Sequence, residues 1–237
     1  MSTQNNNDFV PTSAMVIVAH PDDIEFGCAG TVTKWTKRGA KVVYVLVTSG
    51  NGGTHDAQYT RETIATLREQ EQTAAAAICG VTEIEFLHYQ DGEVMPTLEL
   101  RKDLVRMMRK HKPEVVIAMD PTLVFVQNRY INHPDHRAVA TCTIDACFPI
   151  VSMPLMYPEL GEAHKVREVW MNFTKDPADA YVDISETLDQ KMEALRQHKS
   201  QVDDETVKMV RTWALEEGRG IVPTESFKIM FIEQRKQ

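Results

Sequence analysis

Residues 15–19 read MVIVA and are followed at once by HPDDIE at 20–25. The first five form a short, continuous apolar run, the pattern of a strand buried on both faces. The six that follow are polar and chemically equipped. Working outward, residues 27–37 have a helical pattern with Gly39 just past its end. Residues 41–48 (KVVYVLVT) are β-branched and apolar, a second strand. A polar, glycine-rich loop occupies 49–59. A long helix is expected over 60–79, with Gly80 as its stop. The alternation continues with a strand at 83–87, an amphipathic helix at 98–110 ending before Pro113, and a strand at 115–119. A loop follows at 120–132, then a helix at 133–148 with Pro134 in its first turn.

This βαβαβαβα order predicts a Rossmann-like α/β fold: a mostly parallel sheet with helices on both faces, three layers in all. The second half is less regular. Strands are expected at 168–173, 180–184 and 227–233, and helices at 186–198, capped by Ser185, and at 203–217. With no linker and no internal repeat, residues 14–237 read as one domain behind a mobile polar tail at 1–13.

Composition narrows the function classes. The chain has 237 residues, 43% hydrophobic and 25% charged, as in soluble globular proteins. Its net charge of −8 argues against a nucleic-acid partner, since phosphate binding draws on Lys and Arg. No apolar run is long enough to span a membrane, and the start lacks the features of a signal peptide. The four cysteines (Cys28, Cys79, Cys142, Cys147) form no C-x-x-C pair and read as reduced core thiols of a cytoplasmic protein.

Ligands of open α/β sheets bind beyond the carboxyl ends of the strands. Beyond the first strand stands HPDDIE at 20–25, and beyond the fourth, after a loop, HPDH at 133–136. Imidazole and carboxylate are standard zinc ligands, and three of them plus water make a catalytic site. His20 and Asp23 are three apart, as are His133 and His136, so each pair can face one cavity. Asp22 and Asp23 point apart if that segment is extended, so one carboxylate can bind metal while the other reaches its water. Spacing leaves open their order, and which of His133 and His136 is the ligand. Alone, either cluster reads more simply as a helix cap or a pair of ordinary histidines; together, at two strand ends, they point to a site.

These motifs resemble a known family. AHPDDIEFGCAGT at 19–31 with HPDH at 133–136 is similar to the zinc-dependent N-acetylglucosamine deacetylases called LmbE-like or PIG-L-like. Further likeness lies in LREQEQTAAAAICGV (67–81), YQDGEVMP (89–96), PEVVIAMDP (113–121) and YVDISETLDQKMEALRQHKSQ (181–201). Within the family the chain looks closest to the archaeal diacetylchitobiose deacetylases and next to the deacetylases of bacillithiol synthesis. The resemblance implies one zinc ion held by His20, Asp23 and His136, with other divalent metals able to substitute. It implies Asp22 as general base and His133 as the group steadying the tetrahedral intermediate, which helps most if protonated. It implies Arg68 and Asp91 as substrate-binding residues. The expected reaction is hydrolysis of an N-acetyl group from a small amino-sugar substrate, giving acetate and a free amine. By analogy it also implies a homo-oligomer, trimeric or hexameric. Two other readings share the site: a metal-dependent amidase of a thiol–sugar conjugate, and a metal- or sugar-binding protein without turnover.

Several residues admit two readings. Glu25 either orients a ligand or merely suits a helix's first turn. Arg68 without the family match is an ordinary salt-bridge residue. Residues 49–53 either present backbone amides to a substrate or simply connect. Residues 101–112 (RKDLVRMMRKHK) read as a solvated outer helix, and Trp35, Trp170 and Trp213 as core or subunit-contact residues. His198 lies in a stretch shared with the family but has no assigned role. His55, His88, His111 and His164 read as structural or surface residues.

Overall fold

The structure is a computed structural model that describes residues 4–5, 8–126, 130–174 and 176–233. Its strands are β1 (Gln4–Asn5), β2 (Ser13–Val18), β3 (Lys41–Thr48), β4 (Glu83–Tyr89), β5 (Val115–Met119), β6 (Phe125–Val126), β7 (Tyr130–Ile131), β8 (Glu168–Asn172), β9 (Ala180–Asp183) and β10 (Thr224–Phe231). The helices are α1 (Asp23–Gly27), α2 (Ala29–Lys37), α3 (Arg61–Ile78), α4 (Leu98–His111), α5 (Pro134–Cys147), α6 (Leu188–Leu195) and α7 (Asp204–Glu217). Eight strands form one sheet in the order β1-β9-β10-β8-β5-β2-β3-β4. All its pairings are parallel except those of β10, which runs antiparallel to both β8 and β9.

The period of two explains the unbroken apolar run in β2. Ala14, Val16 and Val18 enter the core under α1, α2, α3, α6 and α7, while Met15, Ile17 and Ala19 enter the core under α4 and α5. Helices therefore cover both faces, giving the three layers read from the sequence. The larger core centres on Trp35 and Trp170, whose rings meet at 5.2 Å. Trp213 on α7 is half-exposed.

Four local readings are corrected. The helix expected over 27–37 is broken at Cys28 (φ −141°), so a single turn, α1, precedes α2. Ser185 does not cap the next helix. Its hydroxyl bonds Asp183, and α6 starts later, after Thr187. The loop expected at 120–132 contains a two-stranded ribbon, β6 with β7. The stretch expected as a polar tail packs on the body from Phe9 onward. Phe9 stacks on Trp170 at 5.5 Å, Trp35 Nε1 donates to its carbonyl at 3.1 Å, and Pro11 is buried.

Within α4, Arg109 departs from the solvated face expected of it. It is buried and donates to the carbonyls of Tyr157, Met153 and Met156, tying down the loop after α5. All four cysteines are buried and free. Among the described residues no helix is long and apolar enough to cross a membrane.

Candidate metal centre

Strand order brings the chemistry together. Strand β2 lies between β5 and β3, and β4 lies beyond β3, all parallel. The segments leaving their carboxyl ends therefore gather at one edge: His20–Asp23 after β2, Asp91 after β4, and the start of α5 after β5. A switch in connection direction of this kind is where α/β sheets hold ligands.

Three side chains converge there. His136 Nε2 lies 3.1 Å from Asp23 Oδ1 and 3.2 Å from His20 Nδ1, and His20 Nδ1 lies 3.6 Å from Asp23 Oδ2. Ligands at about 2.0–2.1 Å from a tetrahedral zinc sit about 3.3 Å apart, so these separations suit one shared ion. Burial opposes charge on His20, yet the carboxylates of Asp135, Asp23 and Asp91 hold its pKa well above the ordinary value. Burial likewise opposes charge on Asp23, but the facing His136 and His20 hold its carboxyl far below the carboxylate range. Carboxylates gathered this closely around a buried histidine favour positive charge at the centre.

The neighbours orient the donors. Asn132 Oδ1 meets His136 Nδ1 at 3.0 Å and leaves Nε2 for the centre. Asp23 also accepts from the amide of His20 at 2.8 Å. Asp135, fully buried, accepts from Gly92 N at 2.7 Å and faces His20 Nε2 at 3.3 Å. The sequence alone assigns no role to Asn132 or Asp135. Asn132 sits four residues before His136, and Asp135 is the acid of the HPDH motif itself.

His133 also lies near, with ligand atoms of His20, His133 and His136 within 4.8 Å of one another. His133 caps α5, its Nδ1 accepting from Asp135 N at 3.2 Å. Its ring packs edge-on to His20 with centroids 4.7 Å apart. Burial and the facing His20 push its pKa below the ordinary value. With Nδ1 accepting, the neutral ring carries its proton on Nε2 and donates without a charge.

Asp22 stands beside the donors but not among them. It is not extended: its φ of 92° and ψ of −27° are left-handed, while Asp23 opens α1. This backbone turn, rather than strand alternation, sends the two carboxylates different ways. Burial raises the Asp22 carboxyl to about 6 against the opposing pull of Arg68.

Arg68, on α3, is buried and turned inward. Its Nη2 reaches Asp22 Oδ2 at 3.2 Å and the Pro21 carbonyl at 2.8 Å, and its Nη1 reaches the Gly50 carbonyl at 3.1 Å. Asp91 pairs with His20 Nε2 at 3.1 Å and accepts from Gly52 N at 3.0 Å. Burial opposes its charge, yet His20 brings its carboxyl down to about 2. The amides of Gly50, Gly52 and Gly53 all bond within the protein, so these three brace the loop after β3.

Glu25 is fully buried against His198 and Gln72, which makes it a member of the site's support and more than a first-turn charge. A separate group, Glu83, Glu85 and His111, lies by edge strand β4. There Lys110 already balances Glu85. A cleft of about 510 Å³ lined by Phe173, Tyr181 and Trp213 holds none of the clustered donors.

Comparison with known proteins places this arrangement. The chain is 34% identical over 213 residues to the diacetylchitobiose deacetylase of Thermococcus kodakarensis, covering 86% of this chain and 77% of that protein. It is 26% identical over 206 residues to a probable N-acetyl-α-D-glucosaminyl L-malate deacetylase 2 of Bacillus anthracis, covering 84% and 85%. Among solved structures, the N,N′-diacetylchitobiose deacetylase of Pyrococcus horikoshii, complexed with its inhibitor MPG, superposes with a TM-score of 0.85. The two share 31% identity over 95% of this chain and 86% of that one. Residues 15–147, which carry both His/Asp motifs, match the PIG-L model, GlcNAc-PI de-N-acetylase, and the chain belongs to that family.

Proposed function

We propose that this protein is a metal-dependent amide hydrolase that removes the acetyl group from an N-acetylglucosamine unit of a small molecule. The observation that carries the reading is the convergence of His20, Asp23 and His136 with a further carboxylate, Asp22, beside them and outside the donor set. A carboxylate beside the donors but not among them is placed for proton transfer. The names of the relatives supply the substrate class.

His20, Asp23 and His136 would hold one zinc ion, and a His₂Asp set also accepts other divalent ions. When bound, zinc activates water and polarises a carbonyl at neutral pH. Asp22, whose carboxyl is raised to about 6, is ionised near neutrality yet basic enough to take a proton from the attacking water. His133 donates its Nε2–H as negative charge builds on the carbonyl oxygen. A neutral donor suffices, and removing one such donor costs about 100- to 1,000-fold in rate. The proton held by Asp22 then passes to the departing nitrogen, releasing acetate and a free amino sugar.

Arg68 would set the charge and aim of Asp22 and, with Asp91, border the sugar. Residues 14–237 would act as one domain. The free, buried thiols accord with a reducing compartment, the cytoplasm, and a homo-oligomer follows from family analogy.

Acetate release from N-acetylglucosamine, diacetylchitobiose and N-acetylglucosaminyl malate or inositol tests the reading. Turnover of at least one, abolished by a chelator and restored by zinc, is expected. Zinc-loaded protein that releases acetate from none would overturn it.

A further inference from the structure

Asp22 holds a left-handed backbone pose, φ 92°, that few residues other than glycine adopt and that short polar side chains adopt only as single residues. The surrounding structure must impose it, and the contacts show how. Helix α3 grips Asp22 twice from one face. Arg68 reaches the carboxylate, and Gln72, one turn on, accepts the Asp22 N–H on Oε1 at 3.0 Å. Gln72 is fully buried, and its Nε2 donates to the two oxygens of Glu25 at 3.2 and 3.3 Å. Glu25, also fully buried, accepts from His198 Nε2 at 3.0 Å. His198 is fully buried too, and its Nδ1 has no partner among the described residues, so Glu25 is the one anchor of its ring.

Each link dictates the next. A carboxylate only accepts, so Glu25 forces the NH₂ of Gln72 toward itself. The amide oxygen of Gln72 is then left facing Asp22 N–H. Were Glu25 an amide, Gln72 could turn over and present a second donor to that N–H, and the left-handed turn would lose its partner.

We propose that His198, Glu25 and Gln72 form a buried positioning relay that fixes the backbone of Asp22, and so the aim of its carboxylate, without holding the metal. This rests on the reading of Asp22 as the proton acceptor. None of the three is a catalytic residue.

The test is a polarity swap. Glu25→Gln alone makes the orientation of Gln72 ambiguous, and Gln72→Glu alone sets two carboxylates face to face. In the double variant the new amide at 25 accepts from His198 and donates to the new carboxylate at 72, which accepts from Asp22 N–H, so every donor again meets an acceptor. Each single variant is expected to lose about 10- to 100-fold in kcat, as for a displaced catalytic group. KM and zinc affinity, the latter read by competition with a chromophoric chelator, should stay within about threefold rather than fall the 10- to 100-fold of a metal-orienting residue.

The double variant should recover to within about fivefold of the parent kcat, since coupled positions restore what single changes break. A double variant that folds, binds zinc normally and is no better than the worse single overturns the proposal. Should the swap variants not fold, Gln72→Met, which keeps bulk and deletes both bonds, carries the test. An unchanged kcat there overturns the relay, and a kcat loss at normal zinc affinity supports it. Asp22→Asn, run alongside, separates the two levels. If it retains turnover, the reading of Asp22 itself falls; if it is inactive while the swap fails, only the relay does.

Discussion

Asp22→Asn should make the metal-free protein more stable while removing its activity. The Asp22 carboxyl moves from 3.8 to about 6 on folding, because burial outweighs the attraction of Arg68. A folded-state pKa above the unfolded value means that the native state binds the proton more tightly, so ionised Asp22 destabilises the fold. At about 1.4 kcal/mol per pKa unit, its ionisation withdraws about 3 kcal/mol at pH 7.5. Asparagine keeps an oxygen for Arg68 and never ionises, so the variant regains that amount. In a chain of this length the gain raises Tm by about 6–12 °C.

The sign and the pH course are both specific. The advantage is full above about pH 7, falls to about half at pH 5 and about a fifth at pH 4, and is gone below about pH 3, where the carboxyl is protonated folded or unfolded. Urea unfolding of chelator-treated parent and variant from pH 5 to 8 measures it, and acetate release should drop about 100- to 10,000-fold in the zinc-loaded variant. A variant no more stable than the parent at pH 7.5, or an advantage constant across the range, would refute the reasoning that burial strains this carboxylate.

Other outcomes follow from the same geometry. His136→Ala should abolish stoichiometric zinc binding, measured by metal analysis after gel filtration. Zinc should bind more tightly as pH rises through neutrality, because the proton that the surrounding carboxylates hold on His20 must leave first, and calorimetry in two buffers should show its release. Arg68→Met removes the cation that favours ionised Asp22, so the acidic limb of the kcat/KM profile should move to higher pH. Gly50→Ala should lower Tm by several degrees and depress activity, because φ is 63° there and a Cβ would lie 2.2 Å from Arg68 Nη1.

The catalytic half was legible because its signals are local. The apolar runs at 15–19, 41–48 and 115–119 are strands buried on both faces, and the motifs sit where parallel strands end. The break at Cys28 was not legible. A short helical stretch shows no periodicity change when one residue leaves helical angles, and the group that meets the amides after the break, Glu225 of β10, lies far away in the chain. The antiparallel course of β10 was likewise set by a partner strand, not by its own pattern. Arg68 shows the limit for the site. Its sequence context gives a charged residue among glutamates, and only the fold reveals that the guanidinium turns inward to Asp22 and to the loops after β2 and β3.

The contacts of α1 and α2 also bear on how the molecule comes apart. Residues 15–147 contain both metal motifs, yet the short helices that carry the first motif are fastened from outside that span. Glu225 caps α2, Lys191 joins Glu225 and the Phe26 carbonyl, Thr187 bonds the Gly30 carbonyl, and His198 holds Glu25. A fragment ending at Cys147 would keep every donor atom and lose the clasp around them. Unfolding should therefore be concerted: fluorescence of Trp213, on the distant α7, should report the same denaturant midpoint as loss of zinc, with no stage at which the first motif survives alone.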